Sequence, residues 1–296
     1  MLLVGLGLAL ASALATNLGF LFRHRGAIAA PDVDARHPLR SAIELFRSKW
    51  WTIGYGVAAI AYALHVGALA LAPLSLVQAV LAGGLVVLGV IAERWFGFRV
   101  GTREWAGLGL AAVALAFLAL TGGGGPSGKE SSDYSVAAML AWESALVGVG
   151  TLLILSGRSQ RSHSRCGVML GAAAGLLFTV AHVAVKAASG HADAGLTMLT
   201  LVVVALLAGI VAFYASARSL QLGQAVAVIA VTSIAGNASA IPAGVVVFGD
   251  PIGEDAASVV LRSLAFVMVV VASALVPAPT RTSTSHGRAA ESSAAV

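Results

Sequence analysis

The sequence predicts an all-α polytopic membrane protein of about nine transmembrane helices in a 4+1+4 inverted repeat, N-terminus out and C-terminus in. Three observations predict it. Hydrophobic residues make up 58% of the 296 positions and charged residues 10%, less than half the charged share of an ordinary soluble domain. Apolar runs long enough to cross the bilayer core as helix, about 20 residues each, recur along the whole chain. Fifteen of the eighteen Lys and Arg residues fall in alternate gaps between those runs, which is where cytoplasmic loops collect positive charge.

The first apolar segment covers 1–22. No basic residue precedes it, and Arg23 and Arg25 follow it. That polarity predicts an uncleaved first helix with its N-terminus outside, not a cleaved signal peptide. Six basic residues lie between Arg23 and Lys49. Within that gap Ile43, Leu45 and Phe46 alternate with charges, so 41–49 fits a short interfacial helix. Further apolar segments span 51–71, 73–92, 103–121, 135–156, 166–188, 196–216, 224–248 and 257–276. The other basic gaps hold Arg94, Arg99 and Arg103, then Arg158, Arg161 and Arg165, then Arg218, and last Arg281 and Arg288. The intervening gaps carry only Lys129, Lys186 and Arg262, beside Glu130, Asp133, Asp193, Asp250, Glu254 and Asp255. Trp50, Trp51, Trp95 and Trp105 stand at expected cytoplasmic helix ends, as an interfacial aromatic belt requires.

The Gly- and Ser-rich run at 122–132 reads as a flexible outer linker, and 277–296 as a disordered cytoplasmic tail. The division is therefore a first transmembrane repeat at 1–121, a linker and connecting helix at 122–165, a second repeat at 166–276, and the tail. A net charge of +5 and a pI near 9.9 would suggest nucleic acid in a soluble protein. Here the cations sit in short loops, so no nucleic-acid partner is expected. The single cysteine, Cys166, excludes an intramolecular disulfide and CxxC metal motifs. Gly167, Gly171 and Gly175 form a small-residue stripe that lets a neighbouring helix approach closely. Packing within the chain is its first use and a homodimer contact its second. Pro73 suits a first helical turn, and Pro242 should kink its helix and serve as a hinge.

Two stretches repeat one pattern. Residues 68–77 (ALALAPLSLV) lead through an apolar helix to the turn at Glu93–Gly97 and another apolar helix. Residues 219–228 (SLQLGQAVAV) lead through an apolar helix to Phe248–Gly253 and a final helix. Four helices on each side of an odd connector give halves of opposite orientation, a plan found in many secondary transporters. The 68–77 run, the Glu93-Arg94 turn, Arg103–Gly109 and the Phe248-Gly-Asp-Pro-Ile turn resemble the drug/metabolite transporter superfamily in its EamA-like form. The likeness covers about 51–120 and 166–276. The Ala-Pro-Leu-Ser-Leu-Val run and the helix number are similar to its NIPA-type magnesium-transporter branch; many superfamily members have one helix more. The resemblance implies alternating access by an inverted repeat. It supplies no residue-by-residue site, because substrate-binding residues vary within the superfamily.

Ionisable groups inside a span are costly and mark candidate sites. Glu143 stands eight residues into its helix, about 12 Å below the outer end. His182 and Lys186 are four apart and share one helix face. His65 and Gln78 lie in the outer half, and Asn237 and Ser239 precede Pro242. Glu143, His65, His182, Gln78, Asn237 and Lys186 are the candidates for a substrate or coupling-ion cavity, with Pro242 as hinge. Plainer roles compete: Lys186 snorkelling to the surface, the histidines packing neutral, Gln78 and Asn237 bonding between helices, and Glu143 paired with Lys186 or His182. No HExxH, nucleophile elbow or phosphate loop occurs, so no enzyme and no cofactor is expected. The expected function is alternating-access transport of a small molecule or cation across the inner or plasma membrane. A NIPA-type Mg²⁺ transporter and a non-transporting assembly or lipid-handling subunit are the alternatives.

Overall fold

The computed structural model of the chain describes residues 2–34, 36–71, 74–97, 100–121, 134–190, 195–249 and 256–275. The described residues form ten helices in sequence: α1 Leu2–Ala29, α2 Pro38–Arg47, α3 Lys49–Leu71, α4 Leu74–Phe96, α5 Thr102–Thr121, α6 Val136–Arg158, α7 His163–Gly190, α8 Leu196–Leu222, α9 Ala225–Phe248 and α10 Ala256–Leu275. Each apolar segment expected from the sequence is helical where it is described, apart from Ser135 and Gln224, which stand as N-caps. Five helices (α1, α6, α7, α8 and α9) are long and apolar enough to cross a membrane by length and composition. The chain is a multi-pass membrane protein. The 122–132 linker, the tail, Pro73 and the acidic turn at 250–255 lie outside the described residues, as does the side chain of Gln78.

Helix boundaries differ from the apolar runs where tertiary contacts cover polar residues. α1 does not stop at Phe22 but continues to Ala29, and Arg23 and His24 in this extension are buried. The guanidinium of Arg23 lies 3.9 Å from the Phe20 ring centroid and 5.0 Å from that of Tyr55, and its Nε donates to Gly19 O. Stacking on aromatic faces shelters a weakly hydrated cation that hydropathy would place in water. The expected interfacial helix forms as α2, with Pro38 in its first turn, where the missing N–H costs little. Its residues divide by face. Ser41 and Leu45 are buried, Leu39, Ile43 and Phe46 are exposed apolar residues at helical spacing, and Arg40 pairs with Glu44 at 2.8 Å.

Small residues set the packing, as expected where water exclusion cannot drive helices together. α1 packs chiefly on α3 and then α4; α7 packs chiefly on α8 and then α9; α5 packs on α4 and α10. Two crossings match. In the first, Asn17 of α1 donates from Nδ2 to Gly84 O of α4 at 2.8 Å. In the second, Thr179 of α7 donates to Gly236 O of α9 at 3.0 Å. The stripe leading to each is spaced by four: Gly5, Ala9, Ala13 and Asn17 in α1, and Gly167, Gly171, Gly175 and Thr179 in α7. A Cβ on Gly175 would collide with Thr232 O and lie 2.9 Å from Gly236 N, and one on Gly167 would meet the Gly223 backbone. The glycine stripe is therefore occupied inside the chain. Trp51 stands in the first turn of α3 but faces inward: it is 1% exposed and packs its ring against Tyr55 and Phe213.

The C-terminal ends of α1 and α8 are tied by a strap at 30–34. Gln221 of α8 donates from Nε2 to Ala27 O at 3.1 Å and Pro31 O at 2.9 Å, and its Oε1 accepts from Val33 N at 3.0 Å. Arg218 reaches Asp32 at 2.6 Å, and Tyr214 donates its hydroxyl to Pro38 O at 2.7 Å. Phe46 of α2 stacks on Phe213 of α8 with ring centroids 6.3 Å apart.

Candidate functional site

Glu143 lies on the face of α6 that packs on α7. Four residues before it, Met139 clusters with Val183, Ala184 and Ala187; three after it, Leu146 clusters with Val180 and Ala181. The carboxylate is buried, at 9% exposure, and its Oε1 has no hydrogen-bond partner. No ion pair joins it to Lys186 or His182 among the described residues. An ionised carboxylate with an unmet oxygen is costly away from water, so this group calls for a proton, a water or a cation. The neighbouring Trp142 also has a buried, unpartnered ring N–H, although consecutive helix positions do not face each other.

His182 is held apart from Glu143 by the geometry of α7. At 100° per residue it sits opposite the Val180, Val183, Ala184 and Ala187 face. It is exposed and lines a cavity of about 280 Å³ with Ala181, Val185 and Ala188 of α7 and Val202, Ala205 and Leu206 of α8. None of the other candidates lines that cavity. Lys186 is half-buried and holds its ammonium 4.0 Å from the Phe248 ring centroid, a cation–π contact at the end of α9.

His65 lies on α3 between Ala61, whose carbonyl accepts from Ser12 of α1, and Ala68, which packs on Ala9. Its Nδ1 is buried without a partner. Asn237 is exposed and donates to Ser233 O in its own helix at 2.8 Å. α9 runs unbroken through Pro242. The described residues thus bring Glu143 onto the α6/α7 seam and leave His182, Asn237 and His65 on other surfaces.

Sequence reasoning named Ser239 only as a polar residue before Pro242 and missed Thr179, Ser12 and Asn17, the other polar groups that join the helix crossings. Ser239 of α9 lies 2.8 Å from Thr179 Oγ1, which itself donates to Gly236 O. Ser12 and Asn17 play the matching part in α1. A signal was present: Asn17 and Thr179 each continue a four-residue series of small residues, so each had to face a closely approaching helix. Among the described residues no three His, Cys, Asp or Glu side chains gather as a metal-ion site. Glu143 therefore offers a cation a single buried carboxylate.

No protein-family profile matches the chain, and no solved structure matches it. Over 279 residues it is 23% identical to a probable magnesium transporter, NIPA9, of Arabidopsis thaliana, covering 89% of this chain and 79% of the relative. The chain is thus a distant relative of a membrane transporter along most of its length.

Proposed function

We propose that the chain is a secondary transporter of Mg²⁺ that works by alternating access in an inverted repeat of nine spans, with Glu143 in the cation path. The observation that carries this reading is the similarity to a probable magnesium transporter across nearly the whole chain. The matched crossings, Asn17 to Gly84 and Thr179 to Gly236, support two related halves, as do the parallel partner preferences of α1 and α7. The drug/metabolite transporter type is the finer class that this architecture fits.

Mg²⁺ gives up its water reluctantly and commonly binds through one or two carboxylates while keeping several waters. A single buried carboxylate with an unmet oxygen suits a partly hydrated ion in passage better than a closed storage site. A non-transporting subunit predicts that the buried polar atoms pair off, and Glu143 Oε1 and His65 Nδ1 remain unpartnered.

The test is flux. The purified chain in proteoliposomes enclosing a Mg²⁺-sensitive dye should carry Mg²⁺ down an imposed gradient. Glu143→Gln should slow it about ten-fold or more, the factor equal to ~1.4 kcal/mol. Absence of Mg²⁺ flux from monodisperse, folded protein would remove the cargo assignment. Unchanged flux in the variant would remove Glu143 from the path and leave the cargo standing.

A further inference from the structure

We propose that the cleft between the C-terminal ends of α1 and α4 binds an anionic phospholipid, with Arg25 on its phosphodiester and Ile28, Trp95 and Phe96 along its glycerol and upper acyl chain. The proposal rests on the reading that α1 and α4 span the bilayer with these ends on the cytoplasmic side.

The cleft is a cavity of about 360 Å³ lined by His24, Arg25 and Ile28 of α1 and by Trp95 and Phe96 of α4. Its chemistry is divided as a lipid's is. Arg25 supplies a cation, fixed by stacking 4.2 Å from the Trp50 ring centroid. Ile28 at 60% and Trp95 at 71% exposure present apolar surface outward, where a soluble protein would hide it and a bilayer covers it. Tryptophan at this level suits the headgroup region. The buried ring of His24 forms the floor, with Nδ1 3.1 Å from Leu220 O.

Among the described residues Arg25 has no carboxylate partner. Glu93, on the same end of α4, is engaged by Val100 N at 3.2 Å and Trp105 Nε1 at 3.3 Å. The carbonyl ends of two helices meet here and disfavour an anion, so the attraction must come from the guanidinium. Basic clefts between spans on the cytoplasmic side are suited to anionic headgroups, and each basic residue near the surface contributes about 1 kcal/mol.

The experiment titrates the delipidated full chain in detergent with phosphatidylglycerol, phosphatidylcholine or inorganic phosphate, reading lipid retention by native mass spectrometry and melting temperature in parallel. Phosphatidylglycerol should be retained in preference to phosphatidylcholine. Arg25→Ala should weaken its retention roughly five-fold, the factor equivalent to ~1 kcal/mol. Arg25→Lys should keep most of the preference, and Arg161→Ala, removing an exposed cation elsewhere on that side, should keep all of it. Trp95→Ala, at an exposed position that folding tolerates, should also lower retention by removing the apolar wall. Equal retention of the two lipids, a preference that survives Arg25→Ala, or displacement of the lipid by inorganic phosphate would each overturn the proposal. Retention is read without any flux, so its failure leaves the transport reading untouched, and failed Mg²⁺ flux leaves this one untouched.

Discussion

Replacing Gln221 with alanine should release the strap that joins the C-terminal ends of α1 and α8. The side chain makes three bonds, one donated by Nε2 to Ala27 O at the end of α1 and two to the strap itself, donated to Pro31 O and accepted by Oε1 from Val33 N. Each is worth about 0.5–1.5 kcal/mol net. The site is partly exposed, so water recovers part of the loss, leaving ~1–3 kcal/mol for the set. Arg218 also contacts Oε1 at 3.1 Å and keeps its own pair with Asp32, whose carboxylate is 81% exposed. That pair adds at most about 1 kcal/mol. If strap release is an opening step, its equilibrium constant rises roughly 5- to 150-fold. Amide exchange by opening follows that constant when reclosing is fast. Hydrogen exchange read by mass spectrometry over 28–36 should therefore accelerate by one to two orders of magnitude, while the α7 interior, about Gly175, stays protected. Unchanged exchange at Val33 in the variant would refute the reasoning, since it would mean that Gln221 does not hold the strap. Acceleration spread evenly through α7 and α9 would refute it as well, because the effect would then be global destabilisation.

Gly175→Val should be among the most damaging single changes, because its branched side chain would be driven into Thr232 O and Gly236 N at the α7/α9 crossing. A drop in detergent melting temperature, set against no change for Gly209→Val, whose added Cβ meets nothing within 4 Å, is the expected result. Acidification should loosen the start of α2: the Asp34 carboxyl is held below its usual range, first by its hydrogen bond with His37 and then by the Arg36 amide. A depressed carboxylate contributes fully above its unfolded value, about 3.9, and loses that contribution as pH falls through the folded value. Intrinsic-rate-corrected protection of the Arg36 amide should accordingly hold at neutral pH and fall only below about pH 4, and Asp34→Asn should remove the pH dependence.

The long helical segments were legible because each had to be apolar round most of its circumference, which the length of an unbroken apolar run reports directly. The stretch 224–248 became α9 at Ala225–Phe248 almost residue for residue, closed by Gly249 at φ +69°, a left-handed cap that glycine adopts freely. The short helix at 41–49 was legible from alternating charge and apolar residues, though it begins at Pro38 and ends at Arg47. α1 and α8 run longer than their apolar cores, to Ala29 and Leu222, because Arg23, His24 and Gln221 find partners that hydropathy does not see. The candidate site was half legible. An acidic residue deep in a span identified Glu143, but its distance in sequence from His182 and Lys186 carried no record of which faces meet.

By itself, the sequence determined that this chain lives in a membrane and which stretches become its helices. Those properties follow from transfer of each segment out of water and need no neighbour to be specified. Only the tertiary structure decided that the Gly167, Gly171 and Gly175 stripe is filled by α9 and the end of α8, that Glu143 faces α7 while His182 faces away, and that Gln221 clasps the strap. Each depends on the rotation of one helix against another, and packing complementarity across the bundle fixes that rotation.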